Sequence, residues 1–519
     1  MASSSTLSSL FSTTLPIPPS CIEFVPGCRE WCVVGTYFLE KGSEEEEREG
    51  GQKRSGSLVL LRLEGEEGEG ERRVTTAATS PTPFAIFDLH FSPYSATSIS
   101  QSSQPAPHLL GLASSTGSIA LYAIDPSAAT SSAQITHLRT LQLFPPTDLL
   151  TYFSWHPTVP LLAAAALADG RVVLCDCSGS SSSDEDKGDD ADADATAATS
   201  TAASANASSG KGSGSKRRKR TLTLLAHALE AWVTAFAPDG GALYSGGDDA
   251  ALKGVGLPVP AELIPGDGEL SASAYLAALA STYTSQGGDE KEEDEEDDDD
   301  DDASSGEEEE HMFSPPWHWQ DARTHGAGVT FILPLPLPLP QTASPSATPS
   351  LLLLTGSYDE SLRLLAPPPP FGPRRVRALA DVPLDGGVWR VCVVDGPTAV
   401  STADKGVVKV QWTLLVSCMH AGTRVVWLTG SSASSSSSSS AAAAADTQAE
   451  SEWNWAFEVL ARFEEHQSMN YASAVQPPPS SKEREGEKGG SGEGKRKRKR
   501  TVISTSFYDR LVALWEWWS

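Results

Sequence analysis

Three pairs of residues in this chain have the types needed for acid–base chemistry: His227 with Asp249, His325 with Asp359, and His466 with Asp509. A carboxylate beside an imidazole is the arrangement that holds a general base in one orientation. Each aspartate, however, stands in a tight turn between two apolar runs. There a carboxylate bonds the backbone of its own turn and, through the upstream histidine, ties adjacent strands together. Asp249, Asp359, Asp509, His227 and His325 are therefore expected to hold the fold, and His466 fits the same place in its own repeat. The seven cysteines are odd in number and irregular in spacing, which excludes a disulfide framework. Cys28 with Cys32, and Cys175 with Cys177, are close enough to share a metal, but no second pair closes a tetrahedral site, so buried thiols are expected. The Gly-x-Ser-x-Gly elbow, the phosphate loop and the His-Glu-x-x-His zinc helix are all absent, and no metal or organic cofactor is implied.

The elements that carry the turn aspartates recur. YSGGDDAALKGV (244–255), LTGSYDESLRLL (354–365) and STSFYDRLVALW (504–515) share one grammar: an apolar strand, small residues, a turn aspartate, and a second strand. Weaker copies are LASSTGSIALYAI (112–124), ALADGRVVLCD (166–176) and SCMHAGTRVVWL (417–428), and a seventh is split between VVGTYFL (33–39) and SLVLLRL (57–63). Each has an upstream strand, as in AIFDLHFSP or AWVTAFAPDG, ending in turn chemistry. Two strand pairs per unit make a four-stranded blade, and seven units make an all-β, seven-bladed WD40-type β-propeller with long disordered loop insertions. The expected blades are 21–63, 84–124, 149–176, 222–257, 317–366, 384–428 and 453–517. The chain ends at LWEWWS with nothing left for the last outer strand, so residues 7–16 are the candidate closing strand.

Between the strands lie inserts with too little apolar sequence to offset the entropy of ordering: 41–56, 178–215, 271–315, 341–350, 429–450 and 477–500. Residues 289–310 hold 17 acidic residues and one lysine, carrying −16 of the net charge of −29 and leaving −13 for the rest. A surface of that sign argues against direct nucleic-acid binding. The basic clusters at 216–220 and 495–500 read as linker ends, with nuclear access as the other reading. No apolar run reaches the ~20 residues that span a bilayer, and the first residues lack the basic start of a secretory signal, so a cytoplasmic monomer away from membranes is expected.

Several segments go beyond the general WD pattern. CIEFVPGCREWCVVGTYFL (21–39), GSYDESLRL (356–364), GGVWR (386–390), SCMHAG (417–422), EHQSMNYAS (465–473) and SFYDRLVALW (506–515) resemble the diphthine methylesterase family, WD-repeat proteins of the diphthamide pathway. The chain departs from that family where YASAVQPPP follows EHQSMN, and where VCVVDG follows Val-Trp-Arg. The resemblance implies hydrolysis of the methyl ester on the modified histidine of translation elongation factor 2, the protein substrate, before a final amidation. The alternative is a non-catalytic WD-repeat scaffold for protein complexes, since propellers host both. Ester hydrolysis needs a nucleophile or activated water, a base, and donors for the oxyanion. On the resembling segments, Glu465, His466 and Ser468 would be orienting acid, base and nucleophile, with His420 an alternative base. Arg390 would hold a carboxylate or oxyanion, and Trp389, Tyr358 and Tyr508 would line an aromatic pocket for the substrate's trimethylammonium group.

Overall fold

Short runs of β-branched, aromatic and small residues, cut by Gly, Asp and Pro turns, favour strands over helix. The computed structural model describes residues 5–40, 53–66, 69–95, 107–128, 134–179, 220–263, 270–283, 313–337, 351–370, 375–402, 407–433, 453–479 and 498–518. The chain opens with β1 (Ser5–Leu7) and β2 (Ser9–Thr14). Blade 1 is β3 (Pro19–Phe24), β4 (Trp31–Thr36), the short β5 (Phe38–Leu39), β6 (Arg54–Glu66) and β7 (Glu69–Thr82). Blade 2 is β8 (Ile86–Ser95), β9 (His108–Ser114), β10 (Ser118–Ile124) and β11 (Ile135–Gln142). Blade 3 is β12 (Leu150–Trp155), β13 (Leu162–Leu167), β14 (Arg171–Asp176) and β15 (Thr221–Ala226). Blade 4 is β16 (Ala231–Phe236), β17 (Ala242–Gly247), β18 (Leu252–Gly256) and β19 (His318–Asp321), with helices α1 (Pro260–Leu263) and α2 (Ala272–Tyr283) before its last strand. Blade 5 is β20 (Val329–Pro336), β21 (Leu351–Ser357), β22 (Ser361–Ala366) and β23 (Arg377–Pro383). Blade 6 is β24 (Arg390–Thr402), β25 (Val407–Ser417), β26 (Thr423–Ala433) and β27 (Trp453–Phe463), and blade 7 is β28 (Ala472–Val475), β29 (Lys499–Thr505) and β30 (Leu511–Trp518).

Consecutive strands pair antiparallel within each of seven sheets, and the molecule is a seven-bladed WD-type β-propeller. Its core lies between blades rather than inside them. Ile22, Val34 and Val59 of blade 1 pack with Ala474, Ile503 and Leu514 of blade 7, so the first and last sheets share one buried cluster. The N-terminus completes the closure. β2 pairs antiparallel with β30, placing Ser12 opposite Ala513, and β1 runs parallel along β27 of blade 6. Pairing the last strand in this way removes an edge that would otherwise expose unpaired backbone groups.

The structure differs from the sequence expectations in three places. The expected disordered insert 271–315 contains α2. Ser271 Oγ caps that helix by accepting from Ala274 N at 3.3 Å, and Ala272, Tyr275, Leu276 and Leu279 form one buried face against blades 3 and 4. Five Ala and two Leu in this segment supplied helix propensity that a low-complexity reading passes over. Second, the expected insert ends are strand. Arg54–Gly56 opens β6, Thr429–Ala433 ends β26, and Lys499 and Arg500 open β29, where they pair with Glu516 and Asp395 and form no free basic tail. The remaining insert residues 41–52, 180–215, 284–312, 341–350, 434–450 and 480–497, and the basic residues 216–219, lie outside the described residues. Third, the expected units 222–257, 317–366 and 453–517 each begin with the outer strand of the blade before: β15 pairs with β14, β19 with β18, and β27 (Trp453–Phe463) with β26. A repeat in sequence is staggered by one strand from a blade in space.

Candidate active site at the channel mouth

The innermost strand of a blade enters from one face, and the second strand returns to that face. In five blades the inner strand breaks register at its second residue: between Pro19 and Cys21, Ile86 and Asp88, Leu150 and Tyr152, Ala231 and Val233, and Val329 and Phe331. A β-bulge re-aims the extra side chain. The bulged residues are Ser20, Phe87, Thr151, Trp232 and Thr330. Trp389 and Tyr471 hold the matching places, directly before β24 and β28. The hydroxyl versions bind the backbone of the next blade: Ser20 Oγ donates to Ile86 O at 2.6 Å, Thr151 Oγ1 to Ala231 O, and Thr330 Oγ1 to Val388 O.

The aromatic versions do something else. With turn residues from the same face they form one continuous set of ring contacts around the axis. Trp232 lies 5.8 Å from Trp389, Trp389 5.2 Å from Tyr471, Tyr471 5.5 Å from Phe507, Phe507 6.0 Å from Tyr37, and Tyr37 5.2 Å from Phe87. Tyr358 joins this rim through Trp389 at 5.8 Å and Trp232 at 6.3 Å. Gly328 makes room for it, because a Cβ there would lie 2.7 Å from Asp248 Oδ1 and 2.9 Å from the Tyr358 ring. Burial pushes the Tyr358 phenol up, so the ring stays neutral. Asp248 accepts from Trp232 Nε1 at 3.1 Å, which puts a carboxylate at the edge of the rim.

Beneath the rim, charged groups meet across the axis. Arg390 of blade 6 donates through Nη2 to Asp88 Oδ2 of blade 2 at 2.8 Å and through Nη1 to Thr330 O of blade 5 at 3.1 Å. Its guanidinium also lies 4.8 Å from the Tyr152 ring and 4.9 Å from the Trp389 ring. Burial alone would raise the Asp88 carboxyl, but Arg390 and His90 outweigh it and hold the group at about 2. His90 stands between two carboxylates, with Nδ1 3.6 Å from Glu23 and Nε2 3.6 Å from Asp88. Burial opposes its charge. The carboxylates of Asp88 and Glu23 on either side of the ring act against burial, and the imidazole is raised above its ordinary value.

The other sequence-derived residues fall elsewhere. Tyr508 is 69% exposed and touches the rim through Phe507 at 5.0 Å. Glu465, His466 and Ser468 share a loop but form no relay. Glu465 Oε1 accepts from Ser9 N at 3.2 Å, and Ser468 Oγ donates to Asp509 Oδ1 at 2.8 Å. Both nitrogens of buried His466 lack a partner among the described residues, and burial pushes the ring down to about 4. His420 is exposed on the turn between β25 and β26.

The turn aspartates each accept from the backbone nitrogen that follows their histidine: Asp249 from Ala228 at 2.9 Å, Asp359 from Gly326 at 2.7 Å and Asp509 from Gln467 at 3.1 Å. Only blade 4 completes the side-chain pair, with His227 Nδ1 2.9 Å from Asp249 and Nε2 2.8 Å from Ser245 Oγ. Arg363 takes the carboxylate in blade 5, and Ser468 takes it in blade 7. Cys32, Cys175 and Cys177 are buried, and Cys28 is half-buried. No group of three or more His, Cys, Asp or Glu among the described residues is placed to hold a metal, and no helix among them is long and apolar enough to cross a membrane.

Sequence reasoning named Arg390, Trp389 and Tyr358 but missed Glu23, Asp88, His90, Tyr152 and the rim residues Tyr37, Phe87, Trp232, Tyr471 and Phe507. The available signal was positional. Aligning the starts of the inner strands puts Phe87, Trp232, Trp389 and Tyr471 in one column, where an aromatic would not be needed to fill a blade.

No protein-family model matches the chain, and no curated protein matches it in sequence. Among solved structures, a chain in the crystal structure of the mitotic checkpoint complex is 10% identical at a TM-score of 0.44, with 100% of this chain and 94% of that chain covered. The Chaetomium thermophilum protein Sqt1, solved bound to the N-terminus of ribosomal protein L10, is 12% identical at a TM-score of 0.43, with 96% and 97% covered.

Proposed function

We propose that this propeller hydrolyses the methyl ester of methylated diphthine on translation elongation factor 2, leaving the carboxylate for a later amidation. One observation carries the reading: an aromatic rim lies directly over a buried guanidinium, with Trp389 touching both. The segments that resemble diphthine methylesterases supply the reaction, and the rim supplies a binding mode for the cationic part of such a substrate. A trimethylammonium group has no hydrogen to donate, so it is recognised by ring faces and nearby carboxylates. Each well-placed ring contributes about 0.5–2 kcal/mol. Below the rim, Arg390 is the donor for charge that develops on an ester oxygen. Donors of this kind, aimed at an oxyanion in a site shielded from water, are worth about 3–4 kcal/mol.

The test is direct. Purified protein incubated with elongation factor 2 carrying methylated diphthine is expected to release methanol and lower the substrate mass by one methylene. Folded protein that leaves the mass unchanged would remove the esterase reading, and tight binding without turnover would favour a scaffold.

A further inference from the structure

We propose that Glu23 and His90 are the acid–base pair of this channel: Glu23 takes a proton from the attacking water, and His90 gives one to the departing methoxide. The inference rests on the ester-hydrolysis reading above and deepens it.

Four groups of unlike accessibility meet here. Asp88 is closed off, its side chain 5% exposed and its Oδ2 taken by Arg390, while Oδ1 accepts from Leu89 N at 2.9 Å. It is a fixed countercharge. The side chains of His90 and Glu23 keep 29% and 37% exposure; Nε2 of His90 is buried against Asp88, which leaves Nδ1, facing Glu23, as the nitrogen for proton transfer. Both are nonetheless held in place. Glu23 Oε2 accepts from Phe91 N at 3.2 Å, the His90 ring packs edge-on to Tyr152 at 5.1 Å, and Trp155 Nε1 donates to His90 O at 3.0 Å. The 3.6 Å gaps from His90 to both carboxylates are too long for tight hydrogen bonds, so neither nitrogen is locked to a partner. The neighbouring sulfurs are poor nucleophiles, since burial raises both Cys21 and Cys392, the latter to about 11. The hydroxyls of Ser20, Thr151 and Thr330 are committed to backbone carbonyls of the next blade, and water is the nucleophile assigned here.

The step balances without any other reactant. Water adds to the ester carbon as its proton passes to Glu23, and the carbonyl electron pair becomes an oxyanion facing Arg390. Collapse breaks the bond to methoxide, which leaves as methanol with the proton of His90. Glu23 then returns its proton to His90, whose Nδ1 lies 3.6 Å away, as the two side chains close on each other, and the new carboxylic acid loses its own proton to solvent.

The experiment measures kcat and KM for methanol release from elongation factor 2 carrying methylated diphthine. It compares the intact chain with Glu23→Gln, His90→Gln and the double variant, with melting curves for each. Both single variants are expected to lose at least about 100-fold in kcat with KM within a few-fold, and the double variant to be little worse, because the two groups act as one unit. Wild-type turnover with kcat of Glu23→Gln within threefold of it would overturn the pair while leaving the esterase reading intact. Glu23→Gln decides alone if His90→Gln fails to fold. Absence of methanol from the wild type would overturn the esterase reading, and the pair with it.

Discussion

Two places in this propeller set a histidine beside an aspartate, with opposite results. In the outer turn of blade 4, His227 has both nitrogens bonded, at 2.9 Å to Asp249 and 2.8 Å to Ser245. Burial lowers it despite the carboxylate, and it works as a neutral staple. In the channel, His90 has carboxylates on both sides, neither in tight contact, and they raise the ring above its ordinary value against the effect of burial. The same residue types therefore make a fastener where geometry satisfies every atom, and a titratable, reachable group where it does not. A His–Asp pair identified by sequence does not reveal which of these it is.

The largest expected effect sharpens that contrast through pH. Buried His156, His325 and His466 are each pushed down to about 4 by burial. A histidine that binds its proton less readily when folded gives stability that is full above its unfolded value near 6.5 and is lost as pH falls toward 4. Denaturant unfolding is expected to lose several kcal/mol between pH 7 and pH 4.5, and His466→Leu should flatten part of that slope. An unchanged slope would mean that His466 is solvated in the folded state. The second effect is His227→Ala, which leaves Asp249 and Ser245 short of a partner. About 3 kcal/mol of stability should go, read as a fall in melting temperature at pH 7. A loss below about 1 kcal/mol would mean that His227 does not staple this turn.

Smaller changes probe the rim. Trp389→Leu and Trp232→Leu should each raise KM for the methylated substrate by about tenfold, roughly the worth of one good cation–π contact, with kcat changed less. Tyr508→Ala, at the exposed end of the set, should change KM by less than about threefold and leave stability within about 0.5 kcal/mol.

Much of the fold was legible in the sequence because it repeats. Asp249, Asp359 and Asp509 mark equivalent turns, and a repeated unit of short strand pairs is the pattern of propeller blades. The helix at 272–283 was hidden by its low-complexity surroundings, although Ala272, Tyr275, Leu276 and Leu279 stand at helical spacing. The site was less legible for a different reason. Glu23, Asp88, His90 and Arg390 lie in blades 1, 2 and 6, and only closure of the ring brings them together. Arg390 and Asp88 are 302 positions apart, and no local motif encodes such a meeting. Local motifs had pointed to Glu465, His466 and Ser468, neighbours in the chain whose side chains bond to Ser9, to no described partner, and to Asp509.

The most direct measurement is a side-by-side turnover assay of the intact chain, His90→Gln and His466→Gln on elongation factor 2 carrying methylated diphthine, each checked for folding. Methanol release that survives in His466→Gln and falls by about 100-fold in His90→Gln is the predicted result. Loss in His466→Gln with turnover kept in His90→Gln would contradict it and move the chemistry to the turn of blade 7.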